Sequence, residues 1–122
     1  YSAALTRLAA ESGVVMTGTV DRSRINALLA DAALFVMPSL HEGLPIALLE
    51  AMSHSLDVAV SDIESCRLPQ LAPADFFPPG DAAALTALIL DKTARHARRT
   101  YNLADYDWDR IAAAVLDLYH SL

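Results

Sequence analysis

Apolar residues in this chain recur with two periods, and the alternation between them sets out its elements. Leu5, Leu8 and Ala9 mark one face of a first helix that ends near Gly13. Val14–Thr17 is a short β-branched and apolar run that predicts a buried strand, followed by the turn Gly18-Thr19-Val20. Asp21 stands where an N-cap belongs, ahead of a helix with Ile25, Leu28 and Leu29 facing inward. Leu34–Met37 predicts a second strand, closed by Pro38-Ser39. Pro45 suits the first residue of a third helix, because its missing N–H costs nothing there. Pro45, Leu48, Leu49 and Met52 then recur at the i, i+3, i+4 and i+7 spacing of one buried helical face. Val58-Ala59-Val60 predicts a third strand. Ile63–Ala74, broken by Pro69 and Pro73, predicts a loop with room for a short helical turn, and Asp75–Phe77 a last short strand. Asp81 caps a helix carrying Leu85, Leu88 and Ile89. A polar helix is expected over Lys92–Asn102. Asp107 caps a final helix with Trp108, Ile111, Val115, Leu118 and Leu122 at helical spacing.

Short apolar strands alternating with amphipathic helices make βα units, so the fold class is α/β with a parallel sheet. Ligands of such sheets bind beyond the carboxyl ends of the strands. Three loops are expected to gather there: Gly18–Val20, Ser39–Leu44 and Ser61–Ile63.

Composition narrows the class. With 122 residues, of which 54% are hydrophobic, the chain can build one domain around one core. A net charge of −6 and a pI near 4.9 argue against a nucleic-acid or anionic-membrane surface. No apolar run approaches the roughly 18–20 residues of a membrane helix, and no stretch reads as a secretory leader. The single Cys66 excludes an internal disulfide and suits a reducing compartment. It reads as a small loop residue rather than a reactive thiol.

The chemistry concentrates in His41–Met52, HEGLPIALLEAM. A helix start presents unpaired N–H groups and the positive end of the macrodipole, and so favours a phosphate. Gly43, without a side chain, lets a ligand approach the backbone closely. From Pro45 to Glu50 the helix rises roughly 7–8 Å. Glu42 before the helix and Glu50 within it therefore cannot grip one atom. They can hold opposite ends of an extended ligand with phosphates between them, the shape of a nucleoside-diphosphate sugar. Glu50 taken alone reads first as a solvated residue on an amphipathic helix, and His41 as an exposed loop residue.

Pro38-Ser39, Glu42-Gly43-Leu44-Pro45 and Leu49-Glu50-Ala51-Met52 together resemble the E-x7-E signature of the retaining glycosyltransferases of the GT4 (group 1) family. The likeness continues through Ser61-Asp62 and Phe77-Pro78-Pro79-Gly80-Asp81 to Tyr106-Asp107-Trp108, covering most of the chain. It implies a Rossmann-like parallel sheet flanked by helices, part of the C-terminal domain of a GT-B glycosyltransferase. Residues 1–122 would then be that nucleotide-sugar-binding domain, truncated on its N-terminal side. The chain opens on Tyr1 directly in a helical pattern, which likewise reads as a piece of something longer.

By the same resemblance, Glu50 holds the ribose hydroxyls. Glu42, the candidate catalytic residue, contacts the donor sugar, orients it and stabilises positive charge on its ring. The amides of Gly43 and Leu44 meet the diphosphate, and Pro45 completes the donor-binding stretch. Gly18 and Thr19 line the base and ribose pocket, a reading that stands level with an ordinary βα turn. The expected partners are a UDP- or GDP-sugar donor and a missing N-terminal acceptor domain, through which peripheral membrane association would come. No cofactor, metal ligand set or nucleic acid is expected. The expected location is cytoplasmic, in polysaccharide assembly.

The likeness is imperfect. Ser55 and Asp57 stand where the family carries glycine and proline, which reads as a cost to local stability or site rigidity. Gln70 stands near an expected glutamate, and the basic residues that clamp the diphosphate have no counterpart before Tyr1. The fragment alone is therefore expected to be silent. A nucleotide-sugar 2-epimerase of the same architecture, or a non-catalytic interaction module, are the alternatives. Arg95, His96, Arg98 and Arg99 read as a solvated helix face, and Asp105, Asp107 and Asp109 as capping residues rather than metal ligands.

Overall fold

The computed structural model describes residues 2–121. Its elements run α1 (Ser2–Glu11), α2 (Arg22–Asp31), β1 (Phe35–Met37), α3 (Ile46–Ser53), β2 (Val58–Ser61), β3 (Phe76–Phe77), α4 (Ala82–Arg95) and α5 (Trp108–His120). Short 3-10 turns occur at Glu64–Cys66, Pro73–Asp75 and Ala104–Tyr106. The strands form one parallel sheet in the order β1-β2-β3, with Val36 opposite Ala59 and Val60 opposite Phe76. Helix α3 packs on β1 and β2, and α4 on β2 and β3. This is the α/β arrangement with a parallel sheet that the hydrophobic pattern predicts, in the Rossmann-like form that the family resemblance implies.

The core lies around the central strand. All four residues of β2 are buried, as a strand covered on both faces must be. Leu48 and Met52 from α3, Met37, Val58, Val60 and Cys66 form its centre. Each large side chain there contributes roughly 1.5–3 kcal/mol by leaving water. Cys66 is thus a core residue, and burial, helped by the negative charge of Glu42, pushes its thiol up.

All three carboxylate caps are in place. Asp21 accepts from the Arg24 amide at 2.8 Å, Asp81 from Ala84 at 2.9 Å, and Asp107 from Asp109 and Arg110 at 2.9 and 3.1 Å.

Several expectations are corrected. Val14–Thr17 forms no strand, and Val14, Val15 and Met16 are exposed. A β-branched run becomes a strand only where a ladder partner receives it, and the segment pairs with none of the described strands. Leu28 is exposed, while Ile25 and Leu29 are half-buried. Pro45 is the N-cap rather than the first helical residue; its carbonyl accepts from Leu48 and Leu49. The polar helix over Lys92–Asn102 does not form. Helix α4 runs on through Arg95 and stops at His96, whose backbone is left-handed (φ 47°). Beyond it Arg98 bridges to Leu56 and the Arg99 amide donates to Ser55. On α5, Trp108, Leu118 and Tyr119 are exposed, so the apolar stripe of this helix is unpartnered among the described residues; Leu122 lies outside them.

Ser55 occupies the place of the family's glycine with φ 59°. Its amide bonds to Met52 and that of Leu56 to Ala51, the paired bonds of a Schellman ending whose penultimate position is left-handed. Ser55→Gly in the full-length protein is therefore expected to raise stability by about 1 kcal/mol, read as a higher urea midpoint. An unchanged or lower midpoint would show that serine carries no strain there.

Asp57 does not behave as a plain cost. Buried just ahead of β2, it accepts from Lys92 Nζ at 2.9 Å and from the Val58 amide at 3.0 Å. Lys92 also donates to Asp75 Oδ1 at 2.8 Å, and Arg99 Nη1 to the same oxygen at 2.6 Å. The guanidinium of Arg99 lies 4.9 Å from the centre of the Tyr101 ring, whose hydroxyl donates to Leu56. Burial pushes the Tyr101 phenol up to about 12. Arg98 donates to the carbonyls of Ala30, Ala32 and His54. Arg95 does lie on the solvated face of α4, paired with Asp91, and His96 is exposed, but Arg98 and Arg99 belong to no helix. Arg98 and Arg99 fasten the segment after α4 across the amino ends of β2 and β3, the end of the sheet away from the candidate site.

Candidate functional site

The site is built at the carboxyl end of β1. The strand delivers the chain through Pro38-Ser39 into an exposed loop, and α3 begins at Ile46. Glu42 lies in that loop, where Ser39 Oγ donates to its Oε1 at 2.6 Å. Glu50 lies in the second turn of α3, with its side chain one-quarter exposed. Between the two, the amides of Gly43 and Leu44 donate to no acceptor among the described residues. Neither a positive φ nor crowding demands glycine at position 43: a Cβ there would meet only open space. Gly43 and Leu44 are both exposed. Helix α3 behind them places the positive end of its dipole at the same spot.

Two cavities flank this turn. The larger, about 680 Å³, is lined by Leu44, Leu49 and Glu50 together with Tyr106, Trp108 and Ile111. A smaller one of about 320 Å³ sets His41 and Glu42 against Ile63, Glu64 and Ser65. The loops Ser39–Leu44 and Ser61–Ile63 thus meet, as the rule for parallel sheets requires. Gly18 and Thr19 line neither cavity; Gly18 sits in an exposed turn with φ 62°. The Gly18–Val20 loop therefore does not gather there as expected; among the described residues its link to the site runs through helix α2. Arg22, the first residue of that helix, donates from Nη1 to Glu50 Oε1.

Arg22 is the residue that periodicity misses. It lies 28 positions from Glu50 in sequence, and nothing local marks the pairing. Asp62, just past the end of β2, accepts from Arg67 at 2.7 Å, a bond that holds its carboxyl below the usual range. Gln70 does not face the site. Its side-chain amide donates to the Asn102 carbonyl, and its backbone carbonyl accepts from Arg99.

This arrangement suits a ligand with a central anion and polar groups at both ends. Donors lie in the middle, one carboxylate stands in the loop and another on the helix. Among the described residues, no three His, Cys, Asp or Glu side chains come together as a metal site.

Comparison with known proteins points the same way. The family model described as "Glycosyl transferases group 1" matches residues 1–121. The chain is 32% identical to a GDP-mannose:cellobiosyl-diphosphopolyprenol alpha-mannosyltransferase of Xanthomonas oryzae pv. oryzae, over 88% of this chain and 31% of that protein. It is 36% identical to the amylovoran biosynthesis glycosyltransferase AmsK of Erwinia amylovora, over 66% of this chain and 22% of that one. It is also 32% identical to the putative colanic acid biosynthesis glycosyltransferase WcaL of Escherichia coli, over 82% and 28% respectively. The chain spans less than a third of the length of these relatives. No solved structure matches it significantly.

Proposed function

The chain belongs to the group 1 glycosyl transferases, and on that premise we propose that residues 1–122 are the C-terminal, nucleotide-sugar-binding part of a retaining enzyme of GT-B architecture. One observation carries the proposal. Free backbone donors at Gly43 and Leu44 lie between Glu42 and Glu50, in front of the start of α3. A diphosphate seated on those amides has the ribose toward Glu50 and the sugar toward Glu42, Glu64 and His41.

In this reading Glu42 orients the sugar and offers negative charge as its ring becomes cationic. The acceptor oxygen attacks the anomeric carbon on the face from which the diphosphate departs. The bond to the diphosphate oxygen breaks, and that oxygen takes the acceptor's proton. Glu42 and Glu50 are spaced to hold two ends of a donor. They are not the pair of a retaining glycosidase, whose carboxyl groups flank one bond about 5 Å apart.

The remaining length of the protein is proposed to hold the acceptor, and the apolar stripe of α5 to pack against it. The chain by itself is then inactive. Two relatives are named for amylovoran and colanic acid biosynthesis, which supports a role in polysaccharide assembly; the cytoplasmic side is proposed from the family resemblance alone. No described helix is long and apolar enough to cross a membrane. The donor base is uracil or guanine, and GDP is the first to try because one relative is named for GDP-mannose.

The test is a titration of the full-length protein with UDP and GDP, followed by thermal unfolding. The binding nucleotide at 100 times its dissociation constant is expected to stabilise the native state by about 2.7 kcal/mol. Glu50→Ala is expected to remove most of that shift at the same concentration. If neither nucleotide raises the unfolding temperature of the unaltered protein, the donor-site reading fails. Incubation with donor and no acceptor separates transfer from epimerisation, since only an epimerase makes a new sugar nucleotide.

A further inference from the structure

The bond between Arg22 and Glu50 joins the first residue of α2 to the middle of α3, and stability does not account for it. The Arg22 side chain is 65% exposed, and ion pairs so open to water contribute little to folding. Helix α2 has no fully buried residue, so Arg22 does not anchor a packed face either. What the bond does fix is a direction. Glu50 lies on the wall of the large cavity beside Leu44 and Leu49. A glutamate there has several rotamers, and desolvating apolar neighbours offer its carboxylate no partner. Arg22 engages Oε1, while Oε2 accepts no bond among the described residues. A guanidinium is a planar fork that holds a carboxylate oxygen in a set geometry.

We propose that Arg22 is a positioning residue for Glu50, pinning one carboxylate oxygen so that the other is presented to the ribose hydroxyls of a nucleoside diphosphate. The proposal rests on the donor-site reading above. It also explains how the Gly18–Val20 loop, which lines neither flanking cavity, bears on the site. The turn and its Asp21 cap set the start of α2, and the start of α2 sets Arg22. Charge adds a second effect. Arg22 neutralises an acid that would otherwise stand near an incoming diphosphate, within the range where screening by salt is incomplete.

The experiment compares UDP and GDP with their 2′,3′-dideoxy counterparts on the full-length protein, by calorimetric titration. The unaltered protein is expected to prefer the ribonucleotide. Arg22→Ala is expected to cut that preference by about tenfold, the scale of one charge-assisted hydrogen bond. Arg22→Lys should restore part of it, and Arg22→Ala should change nothing further in a Glu50→Ala protein. Two outcomes overturn the inference alone: Arg22→Ala keeps the preference while Glu50→Ala erases it, or Arg22→Ala weakens ribo and dideoxy forms equally, as a phosphate contact would. If Glu50→Ala itself leaves the preference intact, the donor-site reading has failed and this inference falls with it.

Discussion

Replacing Lys92 with alanine is expected to destabilise the full-length protein by about 3 kcal/mol, read as a lower urea midpoint with an unchanged slope. Lys92 is 7% exposed, and its ammonium is shared between Asp57 and Asp75, themselves 5% and 1% exposed. Without it, two buried carboxylates face each other with Arg99 as the remaining cation, 2.6 Å from one and 3.4 Å from the other. That residual pairing sets the expected loss at the low end of the range for breaking a buried pair. It is still a large share of the roughly 5–15 kcal/mol that usually holds a domain together. A loss below about 1 kcal/mol would mean that the carboxylates find water or Arg99 at little cost.

The same cluster predicts a pH dependence. Burial alone would raise the Asp75 carboxyl, but bonds donated by Arg99, Lys92 and the Ala72 amide outweigh it and hold it below its usual value. A carboxyl lowered in the folded state contributes its stability fully above the unfolded value near about 3.9 and loses it as pH falls through the folded value. The unaltered protein should therefore weaken on acidification below about pH 4. Lys92→Ala, lacking one of the donors, should show a shallower decline through that window.

This cluster also shows which parts of the molecule can be read from the chain. The caps at Asp21, Asp81 and Asp107 act on amides two or three residues away, so their residue types announce them. The acids at positions 42 and 50 are legible for the same reason: one strand, one loop and one helix fix their separation. The left-handed position at Ser55 is equally local. Asp57 and Arg99 are different. Each looks misplaced by itself, an acid in a strand approach and a base in a polar run, and they explain each other only across 42 positions. Arg22 and Glu50 repeat the lesson across 28. Val14–Thr17 fails in the opposite sense, since its residues suit a strand but a strand exists only with a neighbour. His96 ends α4 in a left-handed conformation that is uncommon for any residue but glycine; histidine is enriched there over most others, which makes its identity only a weak signal of the stop.

The second large effect is expected at Glu42. In the full-length protein, Glu42→Ala should lower kcat for sugar transfer by about 10²–10³-fold, the usual loss when one preorganised electrostatic partner of a transition state is removed. Folding should hardly notice, because Glu42 is exposed and its one bond is to Ser39 at 2.6 Å. Affinity for the bare nucleoside diphosphate should also persist, since the amides of Gly43 and Leu44 and the carboxylate of Glu50 are untouched. Glu50→Ala should behave in the opposite way, losing nucleotide affinity first. This division follows from the proposed donor site, in which the two acids stand on either side of the helix start and each would meet a different part of the donor. Glu42→Gln separates charge from hydrogen bonding. If Glu42 acts by its negative charge, the amide should be nearly as inactive as alanine; if it only orients hydroxyls, the amide should recover most of the rate. Transfer within about threefold of the unaltered enzyme in Glu42→Ala, a barrier change of under about 1 kcal/mol, would remove Glu42 from the catalytic account.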